Sequence, residues 1–580
     1  MIGKIAVPLI AGAFLASALI PAFGGSGDDV PGLKLRLRPF EGHDAPPVEW
    51  SHDDSLTVYA ADTSVTTRPV SLTGSDEGIF SSCDSLPEGP VRVFRGPDGI
   101  PADSTAVRLG WWNPHSSPRE TEDYLYGTGL ADSTGHAEIS IGHVGALAKL
   151  DLGLSGSTLW DTLELIPTHS AIRTATDFNV MTGALTATDS VDRIQLPLAG
   201  NSPLWFAAAP LSAAPEAIAA VARDTSGTLV TARMESGALS PGSFAEFRGR
   251  EWTDRQPCDL KFTLYNQYNL SSVTPKGQYS GITYVDDGYG LPKFAMVHDK
   301  QKGGAISYLR LILNQTIGFS VTPYSCEQTP GNAASSEDRD AEGIAWVPAT
   351  GTFFVAGEDQ RIVEYDADGY PTGRELSIPE DMTSAGIQHD YGFESLTYNA
   401  ATDLLWTTTE HPLKRDTDAA SILPADRPLV RLQSFDRESL EPARRYLYLC
   451  DAPEGISAGA KSYVHGVSDL CALDDGRLIV MEREVLVPQS YVGGWCHVKL
   501  YVVDPVNDPG GILSKSLATD FWTVLGISLT LANYEGMCLG PVYDGKQTLL
   551  LVCDSQGGAG KSTFLGDFHL SDWIKIITIE

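Results

Sequence analysis

Acidic side chains recur in a short signature that appears five times after about residue 280. The copies are Ser280-Gly281-Ile282, Glu342-Gly343-Ile344, Glu394-Ser395-Leu396, Ser468-Asp469-Leu470 and Glu535-Gly536-Met537. Each copy opens an apolar run, and a turn then leads to a second apolar run that ends in a polar or acidic residue. The second runs are Lys293–Asp299, Thr352–Asp359, Leu404–His411, Arg477–Glu484 and Thr548–Asp554. Carboxylates that are gathered together raise one another's pKa or hold a cation, which suits acid–base and metal-assisted catalysis.

Both runs of each unit supply residues to the expected acidic site. The candidate catalytic residues are Glu342, Glu394, Asp469, Glu482, Arg483, Glu535 and Asp554. The candidate metal ligands are Glu342, Glu394, Glu535 and Asp554, and Ca²⁺ is the expected ion because it prefers carboxylate oxygens. Bound metal would receive an ester and polarise water for attack on it. Arg483 would pair with phosphate oxygens, with Lys414 or Arg415 as further candidates.

The same residues have a structural interpretation. A Glu or Asp on an inner strand can accept hydrogen bonds from backbone amides of a neighbouring sheet and catalyse nothing. His298, His389 and His411 are candidate acids or bases because histidine titrates near neutral pH, and loop ordering is their structural alternative. The pattern therefore predicts the place of the site and leaves a catalytic and a structural role open.

A repeat of this length with β-type periodicity predicts a propeller, whose inner strands gather around one central channel. Hairpin turns such as Asp366-Ala367-Asp368-Gly369 and Asp474-Asp475-Gly476 separate the strands, since Asp and Gly accept positive φ. Further strands after each inner hairpin give units of four. Five blades follow from five signatures, and Leu260–Tyr265 with Ile574–Ile579 could contribute a sixth. The predicted fold class is therefore all-β, with a β-sandwich before the propeller.

The region before the propeller reads in three parts. Residues 1–24 have a positive charge, an apolar stretch and small residues before a cut, which is typical of an export signal. Residues 25–50 look like a linker, and residues 51–250 carry short strands in series, as in a β-sandwich. Only Pro215–Arg223 looks helical, through its alanines.

Two resemblances to known families follow from these motifs. Residues 258–580 carry Ala341-Glu342-Gly343-Ile344, Phe393-Glu394-Ser395-Leu396, Val467-Ser468-Asp469-Leu470, Met481-Glu482-Arg483-Glu484, Tyr534-Glu535-Gly536-Met537 and Cys553-Asp554-Ser555-Gln556 in order. This order resembles the phytase-like propeller family with "esterase-like activity of phytase", although Glu394-Ser395 stands where that family has Glu-Gly. Residues 51–250 resemble bacterial fimbrillin-type domains through the stretch His143–Leu150. The resemblances imply hydrolysis of esters and a surface β-sandwich respectively.

The net charge and the sequence motifs argue against several classes of ligand and catalytic site. The formal net charge of −33 argues against nucleic acid. The string Ser555–Ser562 mimics a phosphate-binding loop, but the expected first Gly and the following helix are missing, which argues against nucleotides. Gly455–Gly459 has the spacing of a nucleophile elbow around Ser457 without the strand before it or the helix after it. Cys538 and Cys553 flank one hairpin and could face each other, or be buried free thiols.

Two functions remain. The first is an exported metal-assisted hydrolase of phosphate or carboxylic esters, with a small ester as substrate. The second is a non-catalytic surface protein whose propeller binds a glycan or protein, with fimbrial or envelope components as partners. The protein is expected in the periplasm, at the cell surface or outside the cell, and the signal lacks the Cys of a lipoprotein anchor. The acidic site favours the first function, and the fimbrillin-type domain favours the second.

Overall fold

The computed structural model describes most of the chain after residue 32. The described residues are 33–41, 45–46, 55–60, 63–67, 69–72, 77–80, 86–96, 106–115, 118, 121, 124–154, 160–169, 171–198, 203–209, 217–235, 238–254, 256–275, 277–285, 290–299, 301–302, 306–314, 320–331, 338–388, 392–417, 420–455, 457–525, 530–563 and 566–580. The predicted signal, most of the linker, and His389 lie outside these residues. The all-β prediction is confirmed, with short 3₁₀ turns at Glu380–Met382 and Lys414–Asp416.

The chain divides into two compact units, each assembled from separate segments. The first comprises Met1–Asp161, Ser170–Ala214 and Met234–Gly249. The second comprises Thr162–His169, Pro215–Arg233 and Arg250–Glu580. Two segments from within residues 51–250 therefore belong to the second unit.

Within its described residues the first unit contains three sheets and the further strand Ile194–Pro197. An eight-stranded sheet has the spatial order Thr63–Thr67, Leu56–Ala60, Gly89–Arg95, Leu125–Ala131, Ala137–His143, Leu33–Leu37, Glu77–Phe80 and Pro69–Leu72. Two three-stranded sheets have the orders Leu204–Ala208, Ala146–Asp151, Phe244–Arg248 and Ala184–Val191, Ile172–Asn179, Ala106–Gly110. Alternating leucines of Leu33–Leu37 enter a core with Val58, Val91 and Ile139, as expected for a half-buried strand. The sandwich arrangement stays a prediction.

The second unit contains five four-stranded antiparallel sheets, here called blades 1 to 5, each given from its inner to its outer strand. Blade 1 is Tyr279–Tyr284, Lys293–His298, Ser307–Asn314 and Ser320–Gln328; blade 2 is Ala341–Val347, Thr352–Gly357, Ile362–Asp366 and Pro371–Glu375. Blade 3 is Thr397–Asn399, Leu404–Thr407, Leu429–Asp436 and Pro442–Leu449; blade 4 is Ala460–Ala472, Leu478–Pro488, Trp495–Val503 and Ser516–Val524. Blade 5 is Asn533–Tyr543, Lys546–Asp554, Trp573–Ile579 and Phe262–Asn269.

The blades close into a ring. Each inner strand contacts the next, and that of blade 5 contacts that of blade 1. Five apolar clusters fill the five interfaces between neighbouring blades. Phe262–Asn269 and Trp573–Ile579, the strands that suggested a sixth blade, pair with each other inside blade 5. The described residues therefore form a five-bladed propeller, closed by strands from both ends of its segment.

The second unit also contains described strands outside the five blades. They are Trp160–Pro167, Ala217–Asp224, Leu229–Glu235, Arg250–Glu251, Gln301–Lys302, Asp338–Arg339, Gly560–Thr563 and Gly566–His569. The helix predicted over Pro215–Arg223 is wrong, because Ala217–Asp224 is a strand whose first six residues are buried. Ala219 and Val221 pack in a core with Leu447 and Leu449 of blade 3, so tertiary packing overrides alanine's helix propensity.

The glycine of the signature allows the inner strands to approach one another. A Cβ on Gly343 would lie 2.6 Å from the backbone N of Leu396 in blade 3. A Cβ on Gly281 would lie 2.6 Å from the carbonyl O of Glu342 in blade 2. Close packing at the ring centre thus explains why Gly follows the first residue of most signature copies.

Candidate active site

A β-bulge places the first residue of the signature. In blades 1, 2, 4 and 5 the inner ladder skips one residue, which leaves Ser280, Glu342, Ser468 and Glu535 without a cross-strand partner. In blade 3 the same offset falls between the Phe393–Thr409 bridge and the Thr397–Trp406 pair, a stretch that begins with Glu394. Bulges re-aim side chains next to functional sites. Four of these residues, all except Ser468, line one cavity, and we call the five positions the first ring.

A second ring comes from the ends of the second strands. In each blade, the residue just before the bulge pairs with a residue of the second strand. The residue that follows this partner belongs to the second ring. The second-ring residues of blades 1 to 5 are, in order, Asp299, Glu358, Glu410, Arg483 and Asp554. All five line the same cavity as the first ring. The fold therefore repeats one geometry five times, and nine of the ten positions line one cavity.

The cavity is small and strongly acidic. Its volume is about 380 Å³, within the size range of small-molecule sites. Seven carboxylates line it: Asp299, Glu358, Glu410 and Asp554 of the second ring, and Glu342, Glu394 and Glu535 of the first. Arg483 and Lys461 are the basic residues among its lining. With every carboxylate ionised, the described lining would carry a large excess of negative charge.

Burial and mutual repulsion act on these carboxyls together. Burial, followed by the Glu535 and Asp299 carboxylates, raises the pKa of Glu342 well above its usual value. Burial and the neighbouring Glu410 and Glu342 raise the pKa of Glu394 in the same way. Burial and Glu535 also raise the pKa of Asp554. Protonation or a bound cation would relieve this repulsion.

Arg483 compensates one side of the rings. Its guanidinium donates to Glu535 at 2.5 Å and to Asn533 at 2.9 Å, and it also donates to Glu410. Burial raises the pKa of Glu410, but Arg483 and His411 outweigh burial and hold the pKa at about 2. Burial raises the pKa of Glu535 despite Arg483. Glu410 is therefore a charged anchor, whereas Glu342, Glu394 and Asp554 resist ionisation.

Three carboxylates could share a metal ion. Asp299, Asp340 and Glu342 each offer an oxygen, and these oxygens lie within 4.8 Å of one another. An all-oxygen carboxylate set fits a hard cation such as Ca²⁺. Of the four predicted ligands, Glu342 belongs to this group. Glu394, Glu535 and Asp554 line the same cavity outside it.

Two predicted site residues lie away from the cavity. Asp469 occupies the second position of its signature, one residue beyond the bulge, and Glu482 precedes the ring member Arg483. Because side chains alternate along a strand, a shift of one residue points each to the opposite face. Asp469 accepts backbone N–H groups of Leu470, at 2.8 Å, and Met537. Glu482 contacts Tyr448 and Lys515. Neither residue lines the cavity.

The other basic and acid–base candidates have local partners. His298 is buried against the Ser307 hydroxyl at 2.7 Å, and burial lowers its pKa to about 4. His411 lies beside Glu410, with nitrogen and oxygen 3.4 Å apart. Lys414 donates to backbone carbonyls of Ser384 and Ala385, and Arg415 to that of His169. These residues are absent from the described cavity lining.

Two sequence motifs also have ordinary structural roles. Ser457 precedes the strand Ala460–Ala472, so no helix follows it as a nucleophile elbow requires. Gly560–Thr563 is a strand where a phosphate-binding loop would begin a helix.

Cys538 and Cys553 lie opposite Leu550 and Tyr534 rather than each other, and the seven cysteines in the described residues are free.

Sequence reasoning missed four cavity or metal-group residues. Asp299 was recognised as the end of a run, but it was not assigned to the site, and Glu358, Glu410 and Asp340 were not singled out. The second runs in blades 2 and 3 were expected to end at Asp359 and His411, each one residue after the ring member. Alignment of the runs on their acidic ends would have found Glu358 and Glu410.

One family of known proteins matches the region that contains the blades. Residues 274–556 match the family described as Phytase-like: Esterase-like activity of phytase. The chain is similar to this family over that span, which begins just before blade 1 and includes the inner strands of all five blades. The predicted resemblance of the C-terminal part is therefore confirmed.

Three solved structures match this chain at low sequence identity. Two structures of candidate cell adhesion proteins, from Bacteroides uniformis and Bacteroides ovatus, are 14% and 13% identical, with TM-scores of 0.28 and 0.26. Each match covers 38% of this chain, and 96% and 94% of the respective structures. The WD40 β-propeller domain of Doa1 is 11% identical with a TM-score of 0.22, covering 55% of this chain and 96% of that domain. The search of curated proteins gives no match.

The described residues contain no helix with the length and apolar character of a membrane span.

Proposed function

We propose that the phytase-like propeller binds a divalent cation, Ca²⁺ in the first instance, and hydrolyses esters of phosphoric or carboxylic acids. The observation that carries this proposal is the convergence of seven carboxylates on one cavity, with three acidic oxygens within 4.8 Å of one another. The match to a family described by esterase-like activity agrees with it.

The charge imbalance favours cation binding. Arg483 is already engaged by Glu410 and Glu535, and the exposed Lys461 stacks over the Tyr491 ring at 4.0 Å. The described lining therefore holds two basic residues for seven carboxylates, and both already have contacts. A divalent cation would lower the cost of ionising these buried carboxyls, since opposite charge favours the charged form.

The chain's own residues supply the proton transfers. The described cavity lining contains no His or Cys, so carboxyl groups are its acid–base candidates. Glu394 is 8% exposed, forms no hydrogen bond or ion pair within the described part of the chain, and has a raised pKa. Its protonated carboxyl is suited to donate to a leaving group.

Ester hydrolysis consumes one water molecule. Water adds to the acyl carbon or phosphorus and loses a proton to an ionised carboxylate of the cavity. The bond to the leaving oxygen breaks, and Glu394 protonates that oxygen, which yields an acid and an alcohol. Bound metal would supply Lewis-acid polarisation of the ester oxygen and of water.

A non-catalytic recognition function is the second candidate. Arg483 ties Glu410 of blade 3 to Glu535 of blade 5, and Asp469 of blade 4 accepts a backbone N–H of blade 5. Acids in this propeller therefore also join blades, as the structural interpretation expects. In this alternative the cavity binds a surface glycan or protein, and fimbrial or envelope components are the partners. Export to the periplasm, cell surface or medium is proposed with both functions.

Calorimetric titration of the full chain with Ca²⁺, followed by turnover of p-nitrophenyl phosphate and p-nitrophenyl acetate, tests the proposal. We expect binding and turnover of at least one ester. Glu342→Gln should weaken Ca²⁺ binding by at least about tenfold and abolish turnover. The exposed Glu438→Gln is the matched control and should change neither. Binding without turnover of either ester would favour the recognition function, and the absence of both would refute the hydrolase.

A further inference from the structure

Blade 4 differs from the other blades in the length of its inner hairpin. Its inner two strands have 13 and 11 residues, whereas those of blade 2 have 7 and 6. The ladder continues past the ring-level pair Gly466–Arg483 through Val464–Val485 to Ala460–Pro488. The hairpin therefore extends the cavity wall beyond the acidic rings.

Strand alternation gives the cavity face of this extension an apolar strip, beside Lys461 and Ser462. Arg483, Val485 and Val487 lie two residues apart and all line the cavity, as does Val464 from the paired strand. Leu531 and Leu570 line the cavity as well. One part of the cavity is thus acidic and another is aliphatic.

The extension is held in place from its opposite face. The Glu484 carboxylate accepts backbone N–H groups of Glu454 at 2.8 Å and Gly455 at 2.6 Å, and the Tyr463 hydroxyl at 3.0 Å. A buried carboxylate with several donors fixes the backbone around it. Val485, which is 7% exposed, and the partly exposed Val487 are therefore presented on a preorganised wall.

We infer that the substrate is a neutral carboxylic ester with an aliphatic acyl chain, which lies along Val464, Val485 and Val487 while its ester group enters the acidic rings. This inference rests on the proposed ester hydrolysis and specifies its substrate class. A polyphosphorylated substrate fits poorly, because the lining holds seven carboxylates and its arginine is already paired. The acyl chain gains from transfer out of water onto the aliphatic wall.

The step remains ordinary ester hydrolysis. Water adds to the acyl carbon, the bond from that carbon to the alkoxy oxygen breaks, and the proton that water loses balances the proton that the alcohol gains. The products are a free fatty acid of short or medium length and an alcohol. The wall contributes binding and orientation and takes no part in proton transfer.

The test compares p-nitrophenyl hexanoate, p-nitrophenyl acetate and inositol hexakisphosphate as substrates of the full chain with Ca²⁺. We expect kcat/KM for hexanoate to exceed that for acetate by at least about tenfold, because four more methylenes are buried, and no hydrolysis of inositol hexakisphosphate. Val485→Asp and, at the less buried position, Val487→Asp should reduce the hexanoate-to-acetate ratio towards one. Leu517→Asp, on the exposed outer strand of the same blade, should keep the wild-type ratio.

Binding of the neutral apolar dye Nile red separates this inference from the proposed function. If no ester is hydrolysed, the hydrolase proposal fails, but the wall is still supported when Nile red fluorescence is enhanced by wild type and by Leu517→Asp and is lost in Val487→Asp. A hexanoate-to-acetate ratio near one in wild type, faster hydrolysis of inositol hexakisphosphate than of hexanoate, or Nile red binding unaffected by Val487→Asp would overturn the inference.

Discussion

Two buried acidic clusters of the same propeller have opposite electrostatic character. Around Glu482, one carboxylate oxygen accepts the Tyr448 hydroxyl at 2.5 Å and contacts Lys515, and the other accepts the backbone N–H of Asp451 at 2.9 Å. Asp451 itself pairs with Lys515 at 2.9 Å and accepts the Tyr501 hydroxyl at 2.7 Å. In the cavity, by contrast, Glu394 has no hydrogen-bond partner within the described residues.

The difference shows in the direction of the pKa shifts. Burial raises the pKa of Asp451, but Lys515 and the hydrogen bonds outweigh burial and leave the pKa well below its usual value. Burial and neighbouring carboxylates raise the pKa of Glu342 and Glu394. The carboxylates around Glu482 already have their charge compensated, whereas the cavity carboxyls are stabilised by a bound cation or by protonation. A shift of one residue along the strand therefore decides whether an acidic side chain faces the cavity or the compensated cluster.

Removal of Lys515 should have the largest effect on stability. Its side chain is fully buried beside Glu482 and Asp451, so Lys515→Met leaves the buried Glu482 carboxylate without its cation, whereas Asp451 keeps Lys499 at 3.0 Å. We expect a loss of about 3–5 kcal/mol in the free energy of unfolding, measured by urea denaturation. Arg361→Met breaks the half-exposed pair with Glu375 and should cost less than about 1 kcal/mol. Similar losses in the two variants would contradict the claim that the Glu482 cluster is structurally compensated.

Gly343→Ala should have an intermediate effect, because it strikes the backbone packing that positions Glu342. The new Cβ would meet backbone atoms of Ser395 and Leu396 at 2.6 Å. We expect a loss of about 1–3 kcal/mol in the free energy of unfolding, together with weaker Ca²⁺ binding. Gly110→Ala, where nothing lies within 4 Å of the added Cβ, is the control and should change stability by no more than about 0.5 kcal/mol. Unchanged Ca²⁺ binding in a destabilised Gly343→Ala protein would separate strand packing from the site.

The pH dependence of stability sharpens the comparison further. For Glu342, Glu394 and Asp554 the folded pKa is raised, so their contribution is fully present below the unfolded pKa and is lost as pH rises. The protein in EGTA should therefore become less stable from pH 5 to pH 8 under urea denaturation. Glu394→Gln should flatten this dependence, and saturating Ca²⁺ should reduce it. A rise in stability over the same interval in EGTA would show that other groups dominate.

Glu410 should give the opposite and smaller dependence at lower pH. Its folded pKa is lowered from 4.5 to about 2, so its contribution is present above pH 4.5 and is lost as pH falls towards 2. Glu410→Gln should therefore reduce the loss of stability between pH 4.5 and pH 2 in urea denaturation. An unchanged slope in that interval would mean that Arg483 does not hold Glu410 ionised.

The sequence predicted the repeat but not the facing of every side chain. Five signatures gave five blades, and Glu342, Glu394, Arg483, Glu535 and Asp554 all line the cavity. Asp469 and Glu482 do not, because Asp469 lies one residue beyond the bulge of its strand and Glu482 lies one residue before Arg483, and side chains alternate between the two faces. The strand Ala217–Asp224 was misjudged as a helix for a related reason. Its packing partners in blade 3 lie more than two hundred residues away in sequence, so local propensity could not reveal them.

The apolar wall illustrates a second limit of sequence reasoning. Val485 and Val487 look like ordinary strand residues in the sequence, and only the ladder shows that they continue a cavity face beyond Arg483. The length of a hairpin relative to its neighbours is a property of the assembled ring. Substrate selectivity therefore becomes visible only when all five blades are compared.

Proton release on cation binding tests the central claim most directly. If raised-pKa carboxyls of the cavity bind the cation, Ca²⁺ must displace protons from them at pH 7. Calorimetric titration of the full chain in two buffers of different ionisation enthalpy measures this release. We predict about one proton released per Ca²⁺ bound, and less release in Glu342→Gln, which removes the raised-pKa carboxyl of the metal group. Calcium binding with no buffer dependence, or no binding at all, would contradict the account of an uncompensated acidic site.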